Sequence, residues 1–449
     1  MNLLLAVCLI VLLALLAYLV QKSLHSTLPN SQGRGEGSVS TTRDWPTSVP
    51  RLYETESGPE LSTIMTSHEA MRVRKLPRVM VFPFLDRSHS PDENAVGAAL
   101  ARLIIRNLML DPGMSVRGPE DVPLTPLDEF DMQAPPRLVA AHMRIGGTVE
   151  LTGQGLAVRL EARDHSQTRT VALAAPTLEE VIERIMNGLP GLLGLERPLN
   201  SAARRVVVPD ARAFTKYGHL VLMDDSDEQR THRALKLWRE HPEFSLLLHL
   251  LDDDILDPLS PYLDGFQHDP CDAQLAFLLF CRLWDSEGYQ PAALQYARRA
   301  IELSPGHGKA HMVATHAAHP AANMLHHAEL GYQLLPGNAF AITNYVQKLK
   351  RHHAPPDRIA EIALEGVYWD PEDPSNYEQL ISIHKARREY RRALLIARQL
   401  QGIYDAMSPR TRYCLEQDPQ QRERLRRGLW DPAAENRALI WSLERLVRP

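Results

Sequence analysis

The chain reads as an α+β domain of order β-α-β-α-β-β-β-α followed by an all-α helical repeat solenoid, with an N-terminal transmembrane helix in front. Three observations predict this. Short apolar runs of strand length, separated by turn residues, fill the region from Arg78 to Ala174. From about Asp210 the strand signals stop, and short helical patterns broken by Pro, Gly or Asn take over. Ahead of both lies an uninterrupted apolar segment.

That segment is Leu3–Val20, LLLAVCLIVLLALLAYLV, eighteen apolar residues without a charge. At about 1.5 Å of rise per residue it nearly spans a hydrocarbon core of about 30 Å. A cleaved secretory signal usually opens with Lys or Arg and ends in a small-x-small site, and neither is present. Leu5-Ala6-Val7-Cys8 comes too early for lipidation. We therefore read residues 1–22 as an uncleaved membrane anchor. Lys22, Arg34 and Arg43 follow the run, so the positive-inside bias leans towards a cytoplasmic body. Residues 23–74 are dense in Ser, Thr, Gly and Pro and read as a flexible tether, because such a stretch buries too little apolar surface to offset its ordering entropy.

Across all 449 residues, 44% are hydrophobic and 23% charged, ordinary for globular protein. Lys and Arg number 50 against 55 Asp and Glu, a formal charge of −5, which offers no general attraction to nucleic acid or anionic lipid. Four cysteines in so long a chain cannot form a disulfide framework.

In the α+β domain, residues 75–198, Arg78–Phe84 is a buried-strand pattern. Asp92–Leu110 carries Val96, Ala99, Leu100, Leu103, Ile104 and Leu108 at helical spacing. Met114–Arg117 is a second strand. Ile145–Leu151, Leu156–Ala162 and Thr168–Ala174 are three more, the middle one alternating cleanly as a half-buried antiparallel strand does. Thr177 and Glu180 match a capping box that opens a last helix.

The run Arg78–Ser88, RVMVFPFLDRS, resembles the start of the TolB amino-terminal domain family, and Ile145-Gly146-Gly147-Thr148-Val149 resembles that family's glycine-bearing strand. In residues 210–449 one unit carries Phe277, Phe280, Cys281 and Trp284, then Gly288, Ala293, Ala297, Ala300 and Pro305. Another carries Tyr377, Leu380, Ile381 and His384, then Tyr390, Ala393, Ala397 and Leu400. A weaker one has Phe214, Tyr217 and Gly218, then Ala234, Leu237 and Pro242. These spacings resemble the tetratricopeptide repeat, a helix pair of about 34 residues. Pro336 and Pro371 punctuate two more degenerate pairs, at intervals of 31 residues from Pro305 and 35 residues from Pro336, and four to six repeats are expected. The two resemblances together imply a bacterial inner-membrane, single-pass protein acting in assembly or signalling. Membrane-bound regulators of that kind commonly hold this part outside the cytoplasm, against the charge-based orientation.

No segment carries a recognisable catalytic motif. Gly306-His307-Gly308-Lys309-Ala310 lacks the glycine of a phosphate loop at Leu303 and its Ser or Thr at Ala310. Eight histidines lie between 307 and 353, with His316 and His319 spaced as a metal pair would be, but no carboxylate or cysteine completes a set; solvated repeat faces explain them, with pH-sensitive binding as the alternative. Asp252-Asp253-Asp254 point in different directions on a helix and read as a solvated run. Cys271 and Cys281 read as buried free thiols. Lys385–Arg392, KARREYRR, reads as a solvated helix face. No cofactor, metal or nucleic acid is expected.

The function that follows is a membrane-tethered, non-catalytic scaffold that holds a protein partner in the concave face of its repeats. The repeat resemblance places the first helix of each pair in that groove, which implies Arg282, Asp285, Glu378, Ser382 and Lys385 as contacts. The alternative is a sensor of a ligand or of pH, through the TolB-like domain or the histidine-rich repeats.

Overall fold

β-Branched and aliphatic residues bounded by turns build one five-stranded mixed sheet. In the computed structural model, which describes residues 67–84, 91–118, 141–152, 155–164, 166–199, 209–223, 228–251, 259–284, 290–315, 321–416 and 419–447, the strands are β1 (Arg78–Val81), β2 (Ser115–Arg117), β3 (Met143–Thr152), β4 (Gly155–Arg163) and β5 (Thr168–Ala175). Their order is β2-β1-β3-β4-β5, with β1 parallel to both neighbours and β3, β4 and β5 an antiparallel meander. Leu156, Val158, Leu160 and Ala162 of β4 are buried in alternation, as the pattern requires. The helix expected between β2 and β3 falls on 119–140, outside the described residues.

Helices α2 (Pro91–Met109) and α3 (Leu178–Leu193) cover the sheet. The Thr177 hydroxyl accepts from the Glu180 amide at 3.3 Å, the N-cap its sequence predicts. Gly147 of β3 has φ +153°, and a Cβ there would lie 2.9 Å from the Phe84 ring and 1.9 Å from the Arg159 carbonyl oxygen. Only glycine fits beneath that ring.

Residues 67–74, assigned by sequence to the tether, instead form α1 (Ser67–Arg74). It rests on α10 (Ala321–Leu334), with Arg74 bonded to Glu329 and Val73 and Leu76 buried. The apolar pair is what overrides the polar composition of the stretch. The anchor at residues 3–20 lies outside the described residues, among which no helix is long and apolar enough to cross a membrane.

The remaining helices are α4 (Ala211–Leu222), α5 (Glu228–Glu240), a 3₁₀ turn at Ser245–Leu250, α6 (Ser260–His268), α7 (Ala273–Trp284), α8 (Gln290–Leu303), α9 (Gly308–Ala314), α10, α11 (Ala339–Arg351), α12 (Pro356–Trp369), α13 (Pro374–Ala386), α14 (Tyr390–Ala406), α15 (Pro409–Leu415), α16 (Pro419–Arg426) and α17 (Pro432–Val447). From α7 to α14 each helix packs on its successor in sequence, the quasi-one-dimensional stacking of a repeat array. Ala293, Ala297 and Ala300 on α8 and Ala393 and Ala397 on α14 are fully buried, and these small residues let paired helices approach closely.

The register of the array is written in its caps. Asp272, His307, Asn338, Asp373 and Ser408 each accept a backbone N–H at the start of α7, α9, α11, α13 and α15. They stand at intervals of 35, 31, 35 and 35 residues. Three of them follow Pro305, Pro336 and Pro371 by two places, so the proline ends one unit and the cap opens the next.

The sheet and the repeats are welded together rather than tethered. α4 packs along α2, where a Cβ on Gly218 would meet the Ala95 carbonyl oxygen at 1.8 Å. The loop before α9 abuts the edge strand β2: the buried Ser115 hydroxyl donates to the Gly306 carbonyl at 2.9 Å. An edge strand left bare invites pairing with another chain, and this loop covers it.

Candidate functional site

Three of the five sequence-assigned contact residues, Glu378, Ser382 and Lys385, converge at one cleft. They succeed one another at spacings of four and three along α13, so they share a face of that helix. Ile381 of the same helix, Leu400 and Tyr404 of α14, and Trp430 and Leu439 beside and within α17 complete the walls around about 350 Å³. The cleft therefore has an apolar floor with charge at its mouth, where Glu435 of α17 adds a second carboxylate.

Two hydrogen bonds set its geometry. The Tyr404 hydroxyl donates to Glu378 Oε1 at 2.7 Å, joining α14 to α13. The buried Asn436 amide donates to the Ala397 carbonyl at 2.8 Å and to Gln401 Oε1 at 3.0 Å, seating α17 on α14. The cleft walls strip water from the Glu378 carboxyl and hold it above the usual carboxylate range, against the lowering effect of the Tyr404 bond. Burial and the adjoining Glu378 charge push the Tyr404 hydroxyl up, so it stays a donor throughout the ordinary pH range.

Of the other two assigned residues, Arg282 lies elsewhere. Arg282, on α7, lies with its guanidinium 5.2 Å from the centre of the Tyr262 ring and donates to that hydroxyl at 3.2 Å. Half-buried in this stack, it serves the α6–α7 contact. Asp285 lies outside the described residues, as do Asp252-Asp253-Asp254, His316 and His319.

Several further expectations are corrected. His307, His311 and His327 are buried rather than solvated. His307 caps α9 through Nδ1 and contacts Gln274 Oε1 through Nε2 at 3.0 Å. Cys271 and Cys281 form no disulfide and are half-buried, not enclosed. Lys385–Arg392 is no continuous helix face: it turns the corner between α13 and α14, with Arg388 at φ +60°. Arg387 there reaches Asp357, and Glu389 pairs with His384 and Arg392. Sequence reasoning missed the C-terminal side of the cleft, because Trp430, Glu435 and Leu439 belong to no recognisable repeat. It also missed Asp370, Asp373 and Cys414, which cluster near Arg410; Asp370 is already bonded to Arg410 and Asp373 caps α13.

No known protein family and no curated protein matches the chain, so the TolB-like resemblance gains no support from either. Among solved structures the chain is similar to the "MamA RS-1 ArsTM double mutant", with 13% identity, 42% of this chain and 99% of that one covered, and a TM-score of 0.31. It is also similar to the "Human IFIT1 dimer with m7Gppp-AAAA", with 13% identity, 50% of this chain covered and a TM-score of 0.33. It spans 58% of the length of that human chain. The helical-repeat assignment itself stands on the paired helices and periodic caps of this chain.

Proposed function

We propose that the protein is a non-enzymatic scaffold, tethered to a membrane by residues 3–20, that captures a partner segment in the cleft between α13, α14 and α17. One observation carries this reading: an open cleft of about 350 Å³ has apolar walls and a mouth holding Glu378, Ser382, Lys385 and Glu435. Ile381, Leu400, Trp430 and Leu439 supply area for one anchoring apolar side chain. Two carboxylates against one lysine at the mouth favour a basic residue beside that anchor. The occupant is therefore a peptide or helix pairing an apolar side chain with Lys or Arg.

The test is crosslinking of the membrane-extracted protein, followed by comparison of what stays bound to the native chain and to two variants. Leu439→Asp should abolish capture of a given partner, and Lys385→Glu should change it by altering the charge at the mouth. A partner retained equally by both variants rejects the cleft as its site. A second reading, a sensor of acidification, is supported by the buried His311–His327 pair, which lies outside this cleft.

A further inference from the structure

Asn436 of α17 lines the C-terminal cleft and is only 4% exposed. Its Nδ2 is engaged by α14, donating to the Ala397 carbonyl and to Gln401 Oε1. A carbonyl can only accept, so the contact with Ala397 fixes which end of the side-chain amide is nitrogen. The Oδ1 that remains is buried and has no partner among the described residues. A buried acceptor without a donor is costly and uncommon in folded proteins.

Two carboxylates share the cleft with this oxygen. Glu378 takes one hydrogen bond among the described residues, from the Tyr404 hydroxyl to Oε1, which leaves Oε2 open. Glu435 precedes Asn436 in the chain, and its charge is felt at both Glu378 and Tyr404. α14 sets the spacing of the acceptors. Asn436 is held at Ala397 and Gln401 of that helix, and Glu378 at Tyr404, so the two are anchored about 5 Å apart along its axis. Lys385 stands two turns from Glu378 on α13, about 10 Å along the axis, too far to neutralise it directly.

A lysine ammonium is a compact point charge with three donors, whereas a guanidinium spreads five N–H groups over a rigid plane. That plane matches a neutral oxygen and a carboxylate set a few ångströms apart, and its aliphatic stem can lie along Ile381, Leu400 and Leu439. We propose that the cleft selects an arginine side chain of its partner over lysine, the guanidinium donating to Asn436 Oδ1 and Glu378 Oε2. This rests on the cleft being the partner site; it adds that Asn436 sets the choice between two side chains of equal charge. A cation there also offsets the burial and the Glu435 charge that hold the Glu378 carboxyl above its usual range.

The experiment is an NMR titration of the full-length chain in detergent with three capped dipeptides. They are acetyl-Leu-Arg-amide, acetyl-Leu-Lys-amide, and the arginine peptide with an asymmetrically dimethylated guanidinium, which keeps the charge but blocks the bidentate fork. The arginine peptide should bind saturably and about fivefold more tightly than either of the others. Glu378→Gln keeps an acceptor for Tyr404 while removing the charge, and should weaken the arginine peptide by a similar factor. Leu439→Asp should abolish binding of all three. Equal affinity for the arginine and lysine peptides, both lost in Leu439→Asp, would reject arginine selection and leave the cleft as a partner site. A dimethylated peptide that binds as well as the arginine one, or native affinity in Glu378→Gln, would overturn the selection too. Binding of none of the three, or binding that survives Leu439→Asp, would reject the cleft itself and the selection with it.

Discussion

The imidazoles of His311 on α9 and His327 on α10 are stacked with their Nδ1 atoms 2.9 Å apart, and both residues are buried. The His311 Nε2 lies 2.8 Å from the Pro305 carbonyl, which can only accept, so Nε2 carries the hydrogen and Nδ1 is an acceptor. His327 must then donate through Nδ1, which leaves both rings neutral. Burial lowers His311 to about 4, and burial, then the His311 and His326 charges, lowers His327 to about 3.

This pair makes the repeats acid-labile. A histidine whose folded pKa is depressed contributes nothing to pH dependence above its unfolded value of about 6.5, and its stabilisation is lost as pH falls towards the folded value. Stability should therefore drop between pH 6.5 and 4, at up to about 1.4 kcal/mol per pH unit for each ring. Denaturant midpoints measured across that range give the slope. His327→Leu should make it shallower, while costing about 1–3 kcal/mol at pH 7 because the His311 Nδ1 loses its donor. An unaltered slope would mean that other groups carry the acid response.

Asp272 opens a separate window at lower pH. Burial acts to raise its carboxyl, but the charge and hydrogen bond of His249 and the charge of Arg106 outweigh this and hold it well below the usual range. A depressed carboxylate stabilises the fold above about pH 4, its unfolded value, and that contribution disappears as the folded group protonates. Asp272→Asn keeps an oxygen for the Leu275 amide while removing the charge. It should flatten the decline below pH 4 and leave the pH 6.5–4 slope intact, which the same denaturation series reads directly.

Much of this architecture was legible in the sequence, and the failures have physical reasons. The alternation of Leu156, Val158, Leu160 and Ala162 places β4 to within a residue at each end, because a period of two has few competing explanations. The cap positions follow the prolines. Gly218 was legible only as a small residue needed for close packing; the pattern assigns it to a helix pair of the repeat, whereas it accommodates the Ala95 backbone of α2. Sequence spacing reports that a face is tight and says nothing about which distant element arrives there. The same limit applies to the cleft. The repeat resemblance put Glu378, Ser382 and Lys385 in one groove, but the wall opposite comes from α17, and Arg282 on an equivalent helix stacks on Tyr262 instead.

Gly218 supplies the third prediction. A Cβ there meets backbone rather than a movable side chain, so α4 must separate from α2. Gly218→Ala should destabilise by about 2–3 kcal/mol despite its better helix propensity. An exposed glycine in a helix would show the opposite sign, so the direction of the change in melting temperature decides whether this contact governs the junction.

The last prediction concerns the seat of α17. Asn436 is buried and its amide bridges Ala397 and Gln401 on α14, while Leu443 of the same helix is buried against the α13–α14 pair. Ala433, Leu439, Ile440 and Val447 of α17 pack against the same cluster, whereas Trp441 and Leu446 are exposed, so the helix is held through one face. Asn436→Ala leaves the Ala397 carbonyl without this partner, at a cost of about 1–3 kcal/mol. A helix held through one face can open locally without the rest of the array, so the loss should appear as faster amide exchange confined to α17 and to the Trp430 segment, with α7 and α8 unchanged. The cleft wall leaves with that helix, and capture of any partner through Leu439 and Glu435 should fall in parallel. If exchange accelerates evenly along the whole array, α17 is not a separable element, and the cleft is instead a fixed part of the repeat core.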